Sequence, residues 1–117
     1  LWGESDFDKE LFWQHAHQQG MPPEVLYPNH VKGLIENIFS SNSLFCILPI
    51  QDYFGLSSQF SMISPELERI NIPGTVGPHN WSYRIPCTVE DLVKFSALNA
   101  DIRSLVDARK RRPIWKI

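Results

Sequence analysis

The clearest periodic stretch in the chain follows Pro28, where Val31, Leu34, Ile35, Ile38 and Phe39 recur at i, i+3, i+4, i+7 and i+8. That stripe predicts an amphipathic helix burying one face. An earlier helix is expected from Asp6 to Gln19. Ser5 or Asp6 is placed to cap it, Asp8 sits in its first turn, Phe7, Leu11 and Phe12 are spaced for one face, and Gly20 stops it. Met21-Pro22-Pro23 cannot continue a helix. Ser40 to Ser43 ends the second helix. Leu44 to Leu48 then reads as a short strand, apolar on both faces, as in a parallel strand covered on each side. Thr88, with Asp91 three residues on, opens a third helix reaching about Phe95 in a variant of the capping box. A last helix near Asn99 to Lys110 buries Ile102, Leu105 and Val106.

A single strand is an incomplete structure, because its backbone donors and acceptors must find partners. Ile70 to Ile72 offers a second short pairing, which Pro73 limits. The expectation is therefore an α/β segment whose strand partners lie N-terminal to Leu1. The absence of a methionine before Met21 fits a piece of a longer chain.

The 117 residues, 43% of them hydrophobic, supply one core but not two. The longest apolar run, Leu44 to Ile50, is interrupted by Pro49 and is far short of the roughly twenty residues of a membrane span. A formal charge of −2 gives no reason to expect a polyanionic partner. The cations Arg109, Lys110, Arg111 and Arg112 read as a solvated helix end rather than a nucleic-acid patch. Cys46 and Cys87 are too few for a disulfide framework, so a reducing, cytoplasmic setting is expected. His15 and His17, at i and i+2, point to different helix faces, so no metal site or cofactor is expected.

The irregular stretch INIPGTVGPHNWSYRIP, Ile70 to Pro86, carries large aromatics and a guanidinium between its turn residues. Ordered loops of that length are often functional. Bonding and packing alone would explain it if Trp81, Tyr83 and Ile85 alternated inward and Arg84 held backbone carbonyls. That reading suits Tyr83 and Ile85. A functional reading gives the amides of Asn71 and Asn80 and the indole of Trp81 to a ligand that presents both polar groups and an apolar face.

Three stretches occur in order: LPIQDYFGL (48–56), ERINIPGT (68–75) and NWSYRIP (80–86), the last followed by a TVEDL helix start. Together they resemble the C-terminal end of the 4-α-glucanotransferases known as amylomaltases or disproportionating enzymes. The match covers roughly Pro28 to Phe95. The resemblance implies the C-terminal portion of a (β/α)8 TIM barrel: a helix and linker (1–27), a helix, strand and turn (28–56), a substrate-side loop (57–87) and C-terminal helices (88–117). It implies retaining transfer of α-1,4-glucan segments between maltooligosaccharides, the partners being glucan and the remainder of the enzyme chain, with no nucleic acid and no membrane. The family's catalytic carboxylates lie on earlier strands, so this segment is expected to be inactive alone. The expected substrate-binding residues are Asn80, Trp81, Asn71, Gln51, Asp52 and Arg84, with Asp52 and Gln51 just past the strand, where a barrel places its chemistry. The rival expectation is a stand-alone carbohydrate-binding or interaction module without catalysis.

Overall fold

The computed structural model describes residues 6–60 and 63–110. Among these described residues six helices follow one another: α1 (Asp6–His15), α2 (Pro28–Phe39), α3 (Ile50–Phe54), α4 (Pro65–Glu68), α5 (Val89–Lys94) and α6 (Ser96–Ala108). None is long and apolar enough to cross a membrane.

The stripe on α2 buries Ile35 and Phe39 against α6, which contributes Leu98 and Leu105. Phe54 of α3 and the following Leu56 and Phe60 complete the core. The Phe54 and Phe60 rings are 4.7 Å apart, and Phe95, in the bend between α5 and α6, meets Phe60 edge-on at 5.3 Å. Offset and edge-on contacts are the favoured aromatic geometries.

Helix ends follow local chemistry. The Thr88 hydroxyl accepts from the Asp91 N–H at 3.1 Å while the Asp91 carboxylate accepts from the Thr88 N–H at 3.4 Å, so the capping box expected there is formed. Pro28 opens α2 at the position that needs no N–H. The Tyr27 N–H before it donates to Nδ1 of His30 at 3.0 Å.

The expected α/β class is corrected: no strand is present among the described residues, and the architecture is all-helical. The described residues therefore do not show a TIM-barrel portion with a last strand. Leu44 to Leu48 is non-helical, with Cys46 and Leu48 packed on the core and Leu44, Phe45 and Ile47 exposed by 85%, 62% and 89%. The apolar pattern was two-sided, but only one side is covered. A strand also needs a partner backbone, and Ile70–Ile72 spends its groups elsewhere. The Ile70 carbonyl accepts from Trp81 N–H, and the Ile72 N–H donates to the Asn80 side chain.

Other boundaries shift for local reasons. The first helix stops at His15, before the expected Gln19, as the chain turns through His17 (φ 52°) and Gly20 (φ 75°). Among its described side chains Trp13 is buried while Leu11 and Phe12 are exposed, and the Trp13 indole N–H donates to the Gln19 carbonyl at 3.2 Å. The last helix begins at Ser96 rather than Asn99. Ser5, Arg111, Arg112 and the Phe7 side chain lie outside the described residues.

Candidate functional site

The 70–84 loop is built from turns dictated by its own residues. Pro73 and Gly74 occupy the central positions of a turn closed by the Thr75 N–H donating to the Ile72 carbonyl at 3.3 Å, with Gly74 at φ 78°. Proline followed by a positive-φ glycine is the type II signature. A second turn, Gly77 to Asn80, closes through the Asn80 N–H and the Gly77 carbonyl at 3.2 Å.

The side chain of Asn80 joins the two limbs of the loop. Its Oδ1 accepts from the Ile72 N–H at 2.9 Å, while Nδ2 donates to the Thr75 carbonyl at 3.0 Å and to Thr75 Oγ1 at 3.2 Å. The Thr75 hydroxyl donates its one proton to the Ile72 carbonyl at 2.7 Å. Nε2 of His79 lies 3.0 Å from the same hydroxyl oxygen, within hydrogen-bonding distance. Ser82 Oγ donates to the His79 carbonyl at 2.7 Å.

Trp81 follows directly, at φ 63°, with its N–H donating to the Ile70 carbonyl at 2.7 Å and its side chain 77% exposed. A large residue in the left-handed region costs on the order of 1–3 kcal/mol and persists only where surrounding bonds impose it. Here the Ile70 and Asn80 bonds impose it, and the result is an indole held away from the core.

The remaining expected residues divide into two places. Asn71 and Arg84 are exposed on the loop. Gln51 and Asp52 lie in the first turn of α3 rather than past a strand, which corrects the strand-end argument for both. Tyr83 and Ile85 are half-buried, and Ile85 packs on the core.

The charge of Asp52 reaches Glu68, an acid that sequence spacing did not join to it. Partial desolvation raises the carboxyl of Asp52 above its ordinary range. Desolvation, with the Asp52 charge behind it, raises that of Glu68 at the end of α4. The Tyr83 phenol is also raised by burial, then by the charges of Glu68 and Cys87, and its buried hydroxyl has no hydrogen-bond partner among the described residues. Cys46 and Cys87 are free thiols. Among the described residues no group of three or more histidine, cysteine, aspartate or glutamate side chains is placed to hold a metal ion.

Thr75 and His79 were not singled out by the sequence. The available signal was a threonine closing a Pro-Gly turn with an asparagine five residues beyond, a pattern with side-chain to backbone bonding capacity.

Comparison with known proteins bears on what this loop serves. Residues 1–89 match the protein family described as 4-alpha-glucanotransferase, glycoside hydrolase family 77. A 4-alpha-glucanotransferase of Chlamydia muridarum is 36% identical over 105 residues, covering 81% of this chain and 20% of its own length. A second, from Chlamydia trachomatis, is 34% identical over 106 residues, covering 89% of this chain and 19% of its own. A chloroplastic/amyloplastic 4-alpha-glucanotransferase of Solanum tuberosum is 38% identical over 76 residues, covering 65% of this chain and 11% of its own. The chain thus spans about a fifth of the length of the chlamydial relatives. No solved structure matches it.

Proposed function

The chain belongs to the 4-alpha-glucanotransferase family, and from that premise we propose that it works as part of a protein transferring α-1,4-glucan segments between maltooligosaccharides with retention. The observation that carries this reading is the loop inside the matched residues, which holds Trp81 outward on a left-handed backbone. An aromatic face beside amide and guanidinium groups suits a sugar, which presents both an apolar ring face and hydroxyls. In this reading Trp81, Asn71, Asn80 and Arg84 form the loop side of a glucan site, with Gln51 and Asp52 on α3 as further contacts.

The segment is inactive alone. Retaining transfer takes two carboxyl groups about 5–5.5 Å apart, one of them ionised as nucleophile. The remainder of the enzyme chain supplies the chemistry and covers the exposed apolar side chains Leu44, Phe45 and Ile47. The free thiols suit a reducing, cytoplasmic setting.

A second reading, a carbohydrate-binding module without catalysis, is favoured by one observation: the loop closes through its own hydrogen bonds. The test is glucose release from maltotriose by the protein that carries this chain. Transfer with formation of longer maltooligosaccharides is expected. Glucan binding without any transfer would instead establish the module.

A further inference from the structure

We infer that His30 is a proton-sensitive latch for α1: its neutral ring closes the entrance to α2 and seats Trp13, and taking up a proton releases both. The inference concerns the docking of α1 and does not depend on the glucanotransferase reading.

The state of the ring is set by what it bonds. The Tyr27 N–H, which can only donate, lies 3.0 Å from His30 Nδ1. Nδ1 therefore carries no proton, and the imidazole is neutral with its proton on Nε2. His30 is the third residue of α2, so this bond satisfies the N–H at the helix entrance as a glutamate or glutamine does in a capping box. A second proton would turn Nδ1 into a donor facing a donor. It would also set a positive charge in the first turn of α2, where the helix dipole opposes it and no acidic residue offsets it. The ring is half-buried, within reach of solvent protons.

The same ring faces α1. Buried Trp13 meets it edge-on with ring centroids 5.9 Å apart, and the Tyr27 ring flanks it at 5.9 Å. One turn further along α2, Gln18 Nε2 donates to the Gly33 carbonyl at 3.3 Å, and a Cβ at Gly33 would stand 2.7 Å from Gln18 Oε1. His30 and Gly33, three apart, share one face of α2, whereas Ile35 and Phe39 turn another to the core. Trp13 does not belong to the core cluster around Phe54, so losing the His30 contact loosens α1 without touching that core. The ionisable groups nearest the latch are the Tyr27 phenol, Glu24 ahead of it, Lys9 and Glu10 one turn before Trp13, His17 beside Gln18, and Lys32 on α2. Among the described residues no ion pair joins any of them to His30, which leaves the ring's own proton to decide its state. The hold on α1 is complete while the ring is neutral and is lost as the pH falls and the ring takes up its proton.

The experiment follows hydrogen exchange at the Tyr27 N–H and the Trp13 indole N–H, corrected for the intrinsic pH dependence of exchange, at about pH 8 and about pH 5, on either side of the range in which histidine changes charge. The protein that carries this chain is compared with its His30→Gln and His30→Ala variants. In the parent the open fraction at both sites should rise about two- to thirteen-fold on acidification, the equivalent of one neutral hydrogen bond. His30→Gln keeps an acceptor that does not titrate and should hold the Tyr27 N–H equally at both values, whereas His30→Ala should leave it open at both. Amides of the α2 and α6 core should not follow. Equal protection of the parent at both values, or a response of His30→Gln as large as the parent's, would overturn the latch. Nitrogen NMR of the His30 side chain tests the same point without a variant: the tautomer protonated on Nε2 alone is expected at about pH 8, and a proton on Nδ1 there would overturn the inference even if both variants failed to fold.

Discussion

The side-chain oxygen of Asn80 accepts the backbone N–H of Ile72 at 2.9 Å, bridging residues eight apart in a loop that has no strand pairing of its own. Pro73 supplies no N–H, so the amide of Asn80 takes the place that a second strand would fill. Asn80→Ala leaves the Ile72 N–H and the Thr75 carbonyl without these partners. Each such bond is worth roughly 0.5–1.5 kcal/mol net. The expected outcome is faster hydrogen exchange at Ile72 and Trp81 and easier proteolysis between them, with core amides on α2 and α6 unaffected. Unaltered exchange at Ile72 would show that the bridge carries no weight.

How far the sequence disclosed this structure depended on distance along the chain. The α2 stripe and the Thr88–Asp91 cap were legible because their partners lie within one or two helical turns. The strand at Leu44 to Leu48 was misread because composition reports apolar faces but not whether a second backbone exists to pair with. Trp13 was missed because its burial is set by the returning chain at Gln19 rather than by the helix face. The loop was recognised as special from Trp81 and Arg84, yet the bonds that build it run from Asn80 back to Thr75 and Ile72, pairings that no periodicity encodes.

Stability should respond to pH in opposite senses at two sites. At Asp91 hydrogen bonds from the Thr88 hydroxyl, then Lys94 and the Thr88 backbone, hold the carboxyl below its ordinary range. The unfolded chain therefore takes up that proton first, and the stabilisation present above the ordinary aspartate value is lost as pH falls through the lowered one. At Glu68 desolvation and Asp52 raise the carboxyl, so its favourable contribution is full below the ordinary glutamate value and is lost as pH rises through the raised one. Denaturation followed from pH 2 to 8 should show Asp91→Asn flattening the acid side and Glu68→Gln flattening the decline above it. The same slopes in both variants as in the parent would refute this assignment.

Tyr83→Phe removes a buried hydroxyl that has no partner among the described residues. Because an unsatisfied buried polar group costs about 1–3 kcal/mol, the variant should be as stable as the parent or more so. A melting temperature lowered by several degrees would mean that the hydroxyl is bonded in solution.

The core and the exposed apolar strip should separate cleanly. Phe54 is only 2% exposed and touches Phe60, so Phe54→Ala should cost about 3–5 kcal/mol, a large share of a small domain's stability. Phe45→Ser and Ile47→Ser should leave the melting temperature of the 117-residue chain nearly unchanged while reducing its self-association in sedimentation. Serine variants that unfold as readily as Phe54→Ala would show that this strip is already covered.

In the proposed function, this chain supplies the substrate-side loop of a glucanotransferase without its catalytic groups. The most direct measurement replaces the matching segment of the Chlamydia muridarum 4-alpha-glucanotransferase with this chain and compares glucose release from maltotriose by the chimaera and by the 117-residue chain alone. Transfer by the chimaera, weakened by Trp81→Ala, is expected, and none by the chain alone. Turnover by the chain alone at an ordinary enzymic rate of about 1–10³ s⁻¹, or a folded chimaera without transfer, would contradict it.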